Sequence, residues 1–197
     1  MLRKALCFAV VLTLSFVFLA RPAEAFRQPV TVVDRTALTF TYIPITNTAG
    51  GGKSEFDVGL SYALSPTWDL LLSYSSQIGS TPGSAFRGGA RYHLPPPNPD
   101  LDVYLTAQYA NEDTGVPTTG FLVGAGFTQQ LAPTLKVYSA FAYHSQMNFG
   151  LFDFGVQYQI SRQLAVVVGI SSGSDVLLGT IPQVRDYFGL NYTLFSR

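Results

Sequence analysis

The sequence predicts an all-β fold: an antiparallel up-and-down transmembrane β-barrel of about ten strands, preceded by a cleaved signal peptide. Three observations predict it. Beyond the N-terminal segment there is no run of about 18 apolar residues, which excludes a helical span. Segment after segment alternates apolar and polar residues at period two, the pattern of a strand with two unlike faces. Long polar connections alternate with short turns along the chain, as in a meander with loops on one side of a membrane and turns on the other.

The chain opens on a targeting segment. Arg3 and Lys4 form a basic start, Ala5 to Ala20 an apolar run, and Ala23-Glu24-Ala25 a small-x-small cleavage site. The run is short for a spanning helix of about 20 residues, so a retained anchor is the weaker reading. Residues 1–25 are expected to be the signal, 26–36 an N-terminal lead and 37–197 the barrel. Cys7, the single cysteine, lies in the signal, which leaves the mature chain without thiol chemistry or a disulfide. Net charge after processing is about −2, and no basic patch supports nucleic-acid binding.

Strands then follow in order. Ala37 to Ile45 places Leu38, Phe40 and Tyr42 opposite Thr39 and Thr41, with Pro44 marking a strand end or an edge. After a polar loop at 47–55, Phe56, Val58, Leu60, Tyr62 and Leu64 alternate with Asp57, Gly59, Ser61 and Ala63. Ser65-Pro66-Thr67 turns the chain, since proline fixes φ and lacks the N–H that a ladder needs. Trp68, Leu70, Leu72 and Tyr74 resume the apolar face against Asp69, Leu71, Ser73 and Ser75. A loop at 77–85 precedes Phe86 to Leu94, and the rigid turn Pro95 to Asp100 leads to Leu101 to Ala110. A third loop at 111–119 is followed by Phe121 to Gln129. The next turn, Leu131-Ala132-Pro133-Thr134, resembles Leu64-Ser65-Pro66-Thr67 in residues. Leu135 to Tyr143, a loop at 144–149, Phe152 to Ile160, the turn Ser161-Arg162-Gln163 and Leu164 to Ser171 come next. The longest loop, 172–185, leads to a final strand, Tyr187 to Phe195.

The apolar face is read as facing lipid. Strand charges fall on the other face: Asp57, Asp69, Arg87, Arg91, Asp102, Lys136 and Asp153. A Lys or Arg on the lipid face near the midplane costs roughly 2 to 4 kcal/mol, so a membrane barrel requires this segregation. The polar face is mostly Gly, Ala, Ser, Thr and Gln, which suits a narrow interior. On the apolar face, Phe56 and Tyr62, Trp68 and Tyr74, Phe86 and Tyr92, Phe121 and Phe127, and Phe152 and Tyr158 are aromatic pairs six residues apart, joined by Tyr109, Phe188 and Tyr192. Six tilted steps separate the ring attachment points by roughly 15 Å, which is read as two interfacial girdles around a band of roughly 25 Å. A soluble aromatic core is the competing reading.

With these features the chain resembles the small outer-membrane β-barrel proteins of bacteria with two membranes, a porin-like class, over essentially its whole mature length. The resemblance implies an outer-membrane location with the lipid bilayer as partner, a periplasmic lead, and a last strand read by the barrel-insertion machinery. Phe188, Leu190, Tyr192 and Leu194 match that strand's alternation, but the chain runs on through Phe195, Ser196 and Arg197.

His93 is expected near a short turn and His144 at the opposite rim, too far apart to share a metal, and no ligand cluster is spaced for one. His144-Ser145 differs from the lipid A deacylase barrels, in which a His and a Ser one residue apart share a strand face; adjacent residues face opposite ways. An omptin-like protease would gather acids and His at the outer rim. No cofactor, metal or catalytic residue is expected. Four acids, Asp57, Asp69, Asp102 and Asp153, against three bases, Arg87, Arg91 and Lys136, read as ion pairs bracing the lumen, or else as a charged constriction. Val176 to Ile181 is an apolar island in the longest loop. The expected function is a non-enzymatic outer-membrane barrel acting as a small pore or in a structural or surface-interaction role, with no solute specified. Alternatives are a soluble exported β-barrel binding an apolar ligand and a lipid- or peptide-modifying outer-membrane enzyme.

Overall fold

Alternating β-branched, aromatic and small residues favour a pleated backbone, and ten such segments form strands. A computed structural model describes residues 35–45, 53–78, 83–96, 98–113, 117–146, 149–175 and 183–194. The signal, most of the lead, the 176–181 island and the last three residues lie outside them. The strands are β1 (Ala37–Ile45), β2 (Lys53–Ala63), β3 (Trp68–Ile78), β4 (Gly83–His93), β5 (Leu101–Asp113), β6 (Pro117–Ala132), β7 (Leu135–His144), β8 (Phe149–Gln159), β9 (Leu164–Asp175) and β10 (Gln183–Thr193). Each pairs antiparallel with its sequence neighbour, and β1 pairs with β10 to close the barrel.

Closure leaves no unpaired edge along the seam, where Ala37 lies opposite Thr193 and Tyr42 opposite Phe188. Pro44, which has no donor to offer, falls two positions past that last seam pair and faces Ser54 of β2. Followed from strand to strand, the partner positions climb about 12 residues in one circuit, which corresponds to a strand tilt of about 40°.

Strands extend further than the polarity of their ends predicts. β2 starts at Lys53, β5 runs to Asp113, β6 starts at Pro117, β9 runs to Asp175 and β10 spans Gln183–Thr193 rather than 187–195. Backbone pairing does not depend on side-chain polarity, so polar residues such as Glu55 and Glu112 join the ladder when they face inward. The long–short alternation shrinks accordingly, and the connection 94–100 is as long as 46–52.

The turn expected to repeat the first one also differs. In the β2–β3 turn Ser65 Oγ accepts the N–H groups of Thr67 and Trp68, and Leu64 N donates to Trp68 O. Its structural twin is β8–β9, where Ser161 Oγ accepts from Gln163 and Leu164, and Ile160 N donates to Leu164 O. The β6–β7 turn has Ala132 where the others have the capping serine, and its register shifts between Gln130 and Ala132.

The barrel wall is lined on the inside by a repeated interlock. Tyr104, Tyr138 and Tyr187 each face a glycine on the neighbouring strand: Gly126, Gly155 and Gly169. The phenol ends lie where the missing Cβ atoms would be. A Cβ at Gly169 would come within 2.5 Å of both Tyr187 Oη and the Phe154 carbonyl oxygen. Gly169→Ala is therefore expected to destabilise the barrel by about 1–3 kcal/mol through overpacking. Gly88→Ala, whose Cβ would meet the flexible end of Leu72 at 3.2 Å and the Phe86 ring at an ordinary 3.7 Å, is expected to be nearly neutral. The temperature at which the folded gel band converts to the unfolded one measures both; equal shifts would refute the interlock.

Candidate functional site

The parity of the strands sorts the side chains. Phe40, Phe56, Tyr62, Trp68, Tyr74, Phe86, Tyr109, Phe121, Phe141, Tyr158, Phe188 and Tyr192 are exposed on the exterior. Tyr92, Phe127 and Phe152 are half-buried there. Rings pack across strands, Trp68 on Tyr92 at 4.8 Å, Tyr109 on Phe121 at 6.0 Å and Tyr42 on Phe56 at 5.0 Å. Aliphatic residues carry the apolar surface past the rings: Leu64, Leu131 and Ile160 at the end that bears the chain termini, Ile78 at the other. At the observed tilt, the outward row from Trp68 to Ile78 rises about 25 Å, the height of an outer-membrane apolar band. The chain is a transmembrane β-barrel.

Asp57, Asp69, Arg87, Arg91 and Asp153 point inward and are buried. Lys136 faces inward and is half-buried, and Asp102 stands at the rim of the terminal end with its side chain 38% exposed. These seven do not pair only among themselves. Asp69 is the hub at the terminal end. Its Oδ1 accepts from Arg35 Nε and Nη2 at 3.1 and 2.8 Å, and its Oδ2 accepts from Arg91 Nε and Nη2 at 3.0 and 2.7 Å. His93 Nε2 also lies 2.7 Å from Asp69 Oδ2, while its Nδ1 lies 2.8 Å from Asp102. Arg91 further donates to Ser61 Oγ at 3.0 Å and lies 5.0 Å over the Tyr104 ring. Arg35, just before β1, donates to the carbonyls of Ser65 and Pro66 as well, which ties the entry of the chain to the β2–β3 turn.

Midway along the lumen, Tyr187 donates to Asp153 Oδ1 at 2.6 Å, and the Tyr138 and Tyr187 hydroxyls lie 2.5 Å apart. Ile43 and Val167 pack with these rings, and Asn191 Nδ2 donates to Gln157 Oε1 at 3.0 Å. β10 thereby reaches over β9 to β8, and β7 reaches β10. Towards the far end Arg87 grips Glu112 with Nε and Nη2. Asp57 accepts from Ser75 and Thr41, and Arg185 stands 3.8 Å from Glu55. Leu122 and Leu151 pack with Ala110 and Ala142 beside them.

Arg35, Glu55, Glu112 and Arg185 fall in segments whose sequence reads as lead or loop, yet Glu55 and Glu112 hold the inward parity of their strands, with Asp57 in β2 and Asp102 in β5. Tyr104 takes the polar face that the alternation gives it, and Tyr138 and Tyr187 join it inside. The inner face is also bulkier than expected, because Gly126, Gly155 and Gly169 each make room for a tyrosine from the neighbouring strand. His93 and His144 lie at opposite ends of the barrel, and the Ser145 hydroxyl accepts the Phe121 N–H. Among the described residues no group of three or more His, Cys, Asp or Glu converges as a metal site.

No protein-family model matches the chain, and no curated protein does. Among solved structures the chain is similar to the KdgM porin, with 12% identity over 81% of this chain and 100% of that one, at a TM-score of 0.48. It is similar to the NanC porin at 8% identity, covering 80% and 99%, with a TM-score of 0.43. A de novo designed transmembrane β-barrel shares 14% identity over 85% and 98%, with a TM-score of 0.40. At these identities the likeness is one of fold.

The buried Arg87–Glu112 pair yields a measurable consequence. Arg87→Met leaves the buried Glu112 without its partner and is expected to cost about 3–5 kcal/mol, whereas Arg87→Met with Glu112→Met recovers most of it. Denaturant unfolding midpoints in detergent micelles check this, and additive losses would refute the pairing.

Proposed function

We propose that the chain is an outer-membrane β-barrel with a sealed lumen, acting in a structural or surface role and not as a standing solute pore. The observation that carries this reading is the burial of the inward charges: Arg87 and Arg91 are each 2% exposed. In a water-filled channel such groups stay hydrated; here carboxylates and tyrosines take the place of water around them. The interior is thus spent on holding strands together, with contacts that cross between non-adjacent strands.

An even strand number puts both termini at one end, and the N-terminal signal read from the sequence assigns that end to the periplasm. The opposite end of the barrel then faces the cell exterior and is the end available to a partner. β10, with Phe188, Leu190 and Tyr192 outward, is the strand offered to the insertion machinery. The role we propose is non-enzymatic.

Planar-bilayer recording tests the reading. The refolded, heat-modifiable wild-type protein is expected to show no steady conductance at neutral pH. Replacing Tyr104, Tyr138 and Tyr187 together by glycine is expected to open stepwise currents in molecules that still show the heat-modifiable shift. Stable unitary currents from the wild type would overturn the sealed barrel.

A further inference from the structure

His93 is held between two carboxylates in a way that depends on its proton count. Its Nε2 lies 2.7 Å from Asp69 Oδ2 of β3, and its Nδ1 lies 2.8 and 2.9 Å from the two oxygens of Asp102 of β5. A neutral imidazole has one N–H and one lone pair, whereas an ionised carboxylate only accepts. Both contacts are satisfied together only when the ring carries two protons, or when one of the acids is protonated. Asp69 is kept ionised by Arg35 and Arg91, which donate four hydrogen bonds to it. Asp102 stands at the rim, with its side chain 38% exposed.

The groups facing the ring are these two acids, Arg91 of its own strand two positions before it, and the Tyr104 ring at 6.1 Å. Arg35 acts one step away, on the other oxygen of Asp69. We infer that Asp69, His93 and Asp102 form a proton-operated clasp at the terminal mouth of the barrel, closed when the imidazole is doubly protonated and open at its β5 arm when it is not.

The direction of opening follows from the partners. The Asp69 arm is fixed by two guanidinium groups, so the remaining proton stays on Nε2. The Nδ1 lone pair then faces the Asp102 carboxylate, and the two repel. Asp102 is the second residue of β5 and adjoins the β4–β5 turn, whose backbone bonds run from Leu101 N to Asn98 O and from Gln130 N to Asp100 O. Release of Asp102 to water therefore loosens that turn, whether or not the lumen above it conducts.

The test is hydrogen exchange of the detergent-solubilised full chain, corrected for intrinsic exchange, together with nitrogen NMR of the imidazole. Protection of the turn at 94–103 is expected to fall by roughly tenfold from about pH 6 to about pH 9, with no change in the β8–β9 turn at 160–164. Asp102→Asn supplies an amide N–H to the neutral ring, so that turn is expected to stay protected at both pH values. His93→Gln removes the pH dependence. In the NMR spectrum both His93 nitrogens are expected to be protonated at about pH 6. A neutral tautomer there, an unchanged wild-type turn, or a pH-dependent turn that persists in His93→Gln would overturn the clasp.

Discussion

A bilayer offers no water to the backbone, and every other feature of this molecule follows from that constraint. An unpaired N–H or C=O costs several kcal/mol in hydrocarbon, so strands can cross only if the sheet closes on itself. The β1–β10 seam meets this requirement, and the outward rows of Phe, Tyr, Leu and Val meet the lipid. Once the exterior is apolar, strand alternation forces the other half of the residues inward. With ten strands at about 40° tilt, the cylinder they enter is narrow.

What fills that cylinder is selected by size as much as by charge. Three tyrosines lie across three glycines, and the wall beneath them is smooth enough for rings to pass over one strand and touch the next. Charged residues then occupy the two ends of the lumen, with Asp153 between them. At the ends they meet partners on other strands: Arg87 with Glu112, Arg91 with Asp69, Arg185 beside Glu55. Removing charge from water costs several kcal/mol per ion, and the Arg87–Glu112 and Arg91–Asp69 pairs offset that cost with two direct hydrogen bonds each.

The terminal end is organised differently from the far end. There a single buried carboxylate, Asp69, gathers a guanidinium from outside the strands, a guanidinium from β4 and an imidazole. The lead, β3 and β4 meet at that one side chain, and Arg35 and His93 extend the contact to the β2–β3 turn and β5. It joins the entry of the chain, the first hairpin turn, and the strands on either side of the Pro-rich connection into a single rim.

Much of the fold was legible in the sequence because its cause is local. Period-two alternation, the Ser-Pro-Thr turn and the confinement of Asp57, Asp69, Arg87, Arg91, Asp102, Lys136 and Asp153 to one parity are properties of neighbouring residues, and they specify a strand meander with one charged face. The end of each strand was not legible, since a ladder continues through Glu55 or Glu112 for as long as its partner strand does. Nor were the partners: Glu112 meets Arg87, Arg35 meets Asp69 and Tyr187 meets Asp153 through register and barrel closure, which bring together residues 25 to 34 positions apart. Composition alone cannot distinguish a wet lumen from a packed one. Only the tertiary structure decided that, because whether a tyrosine fills a channel depends on whether the residue opposite it across the ladder is a glycine.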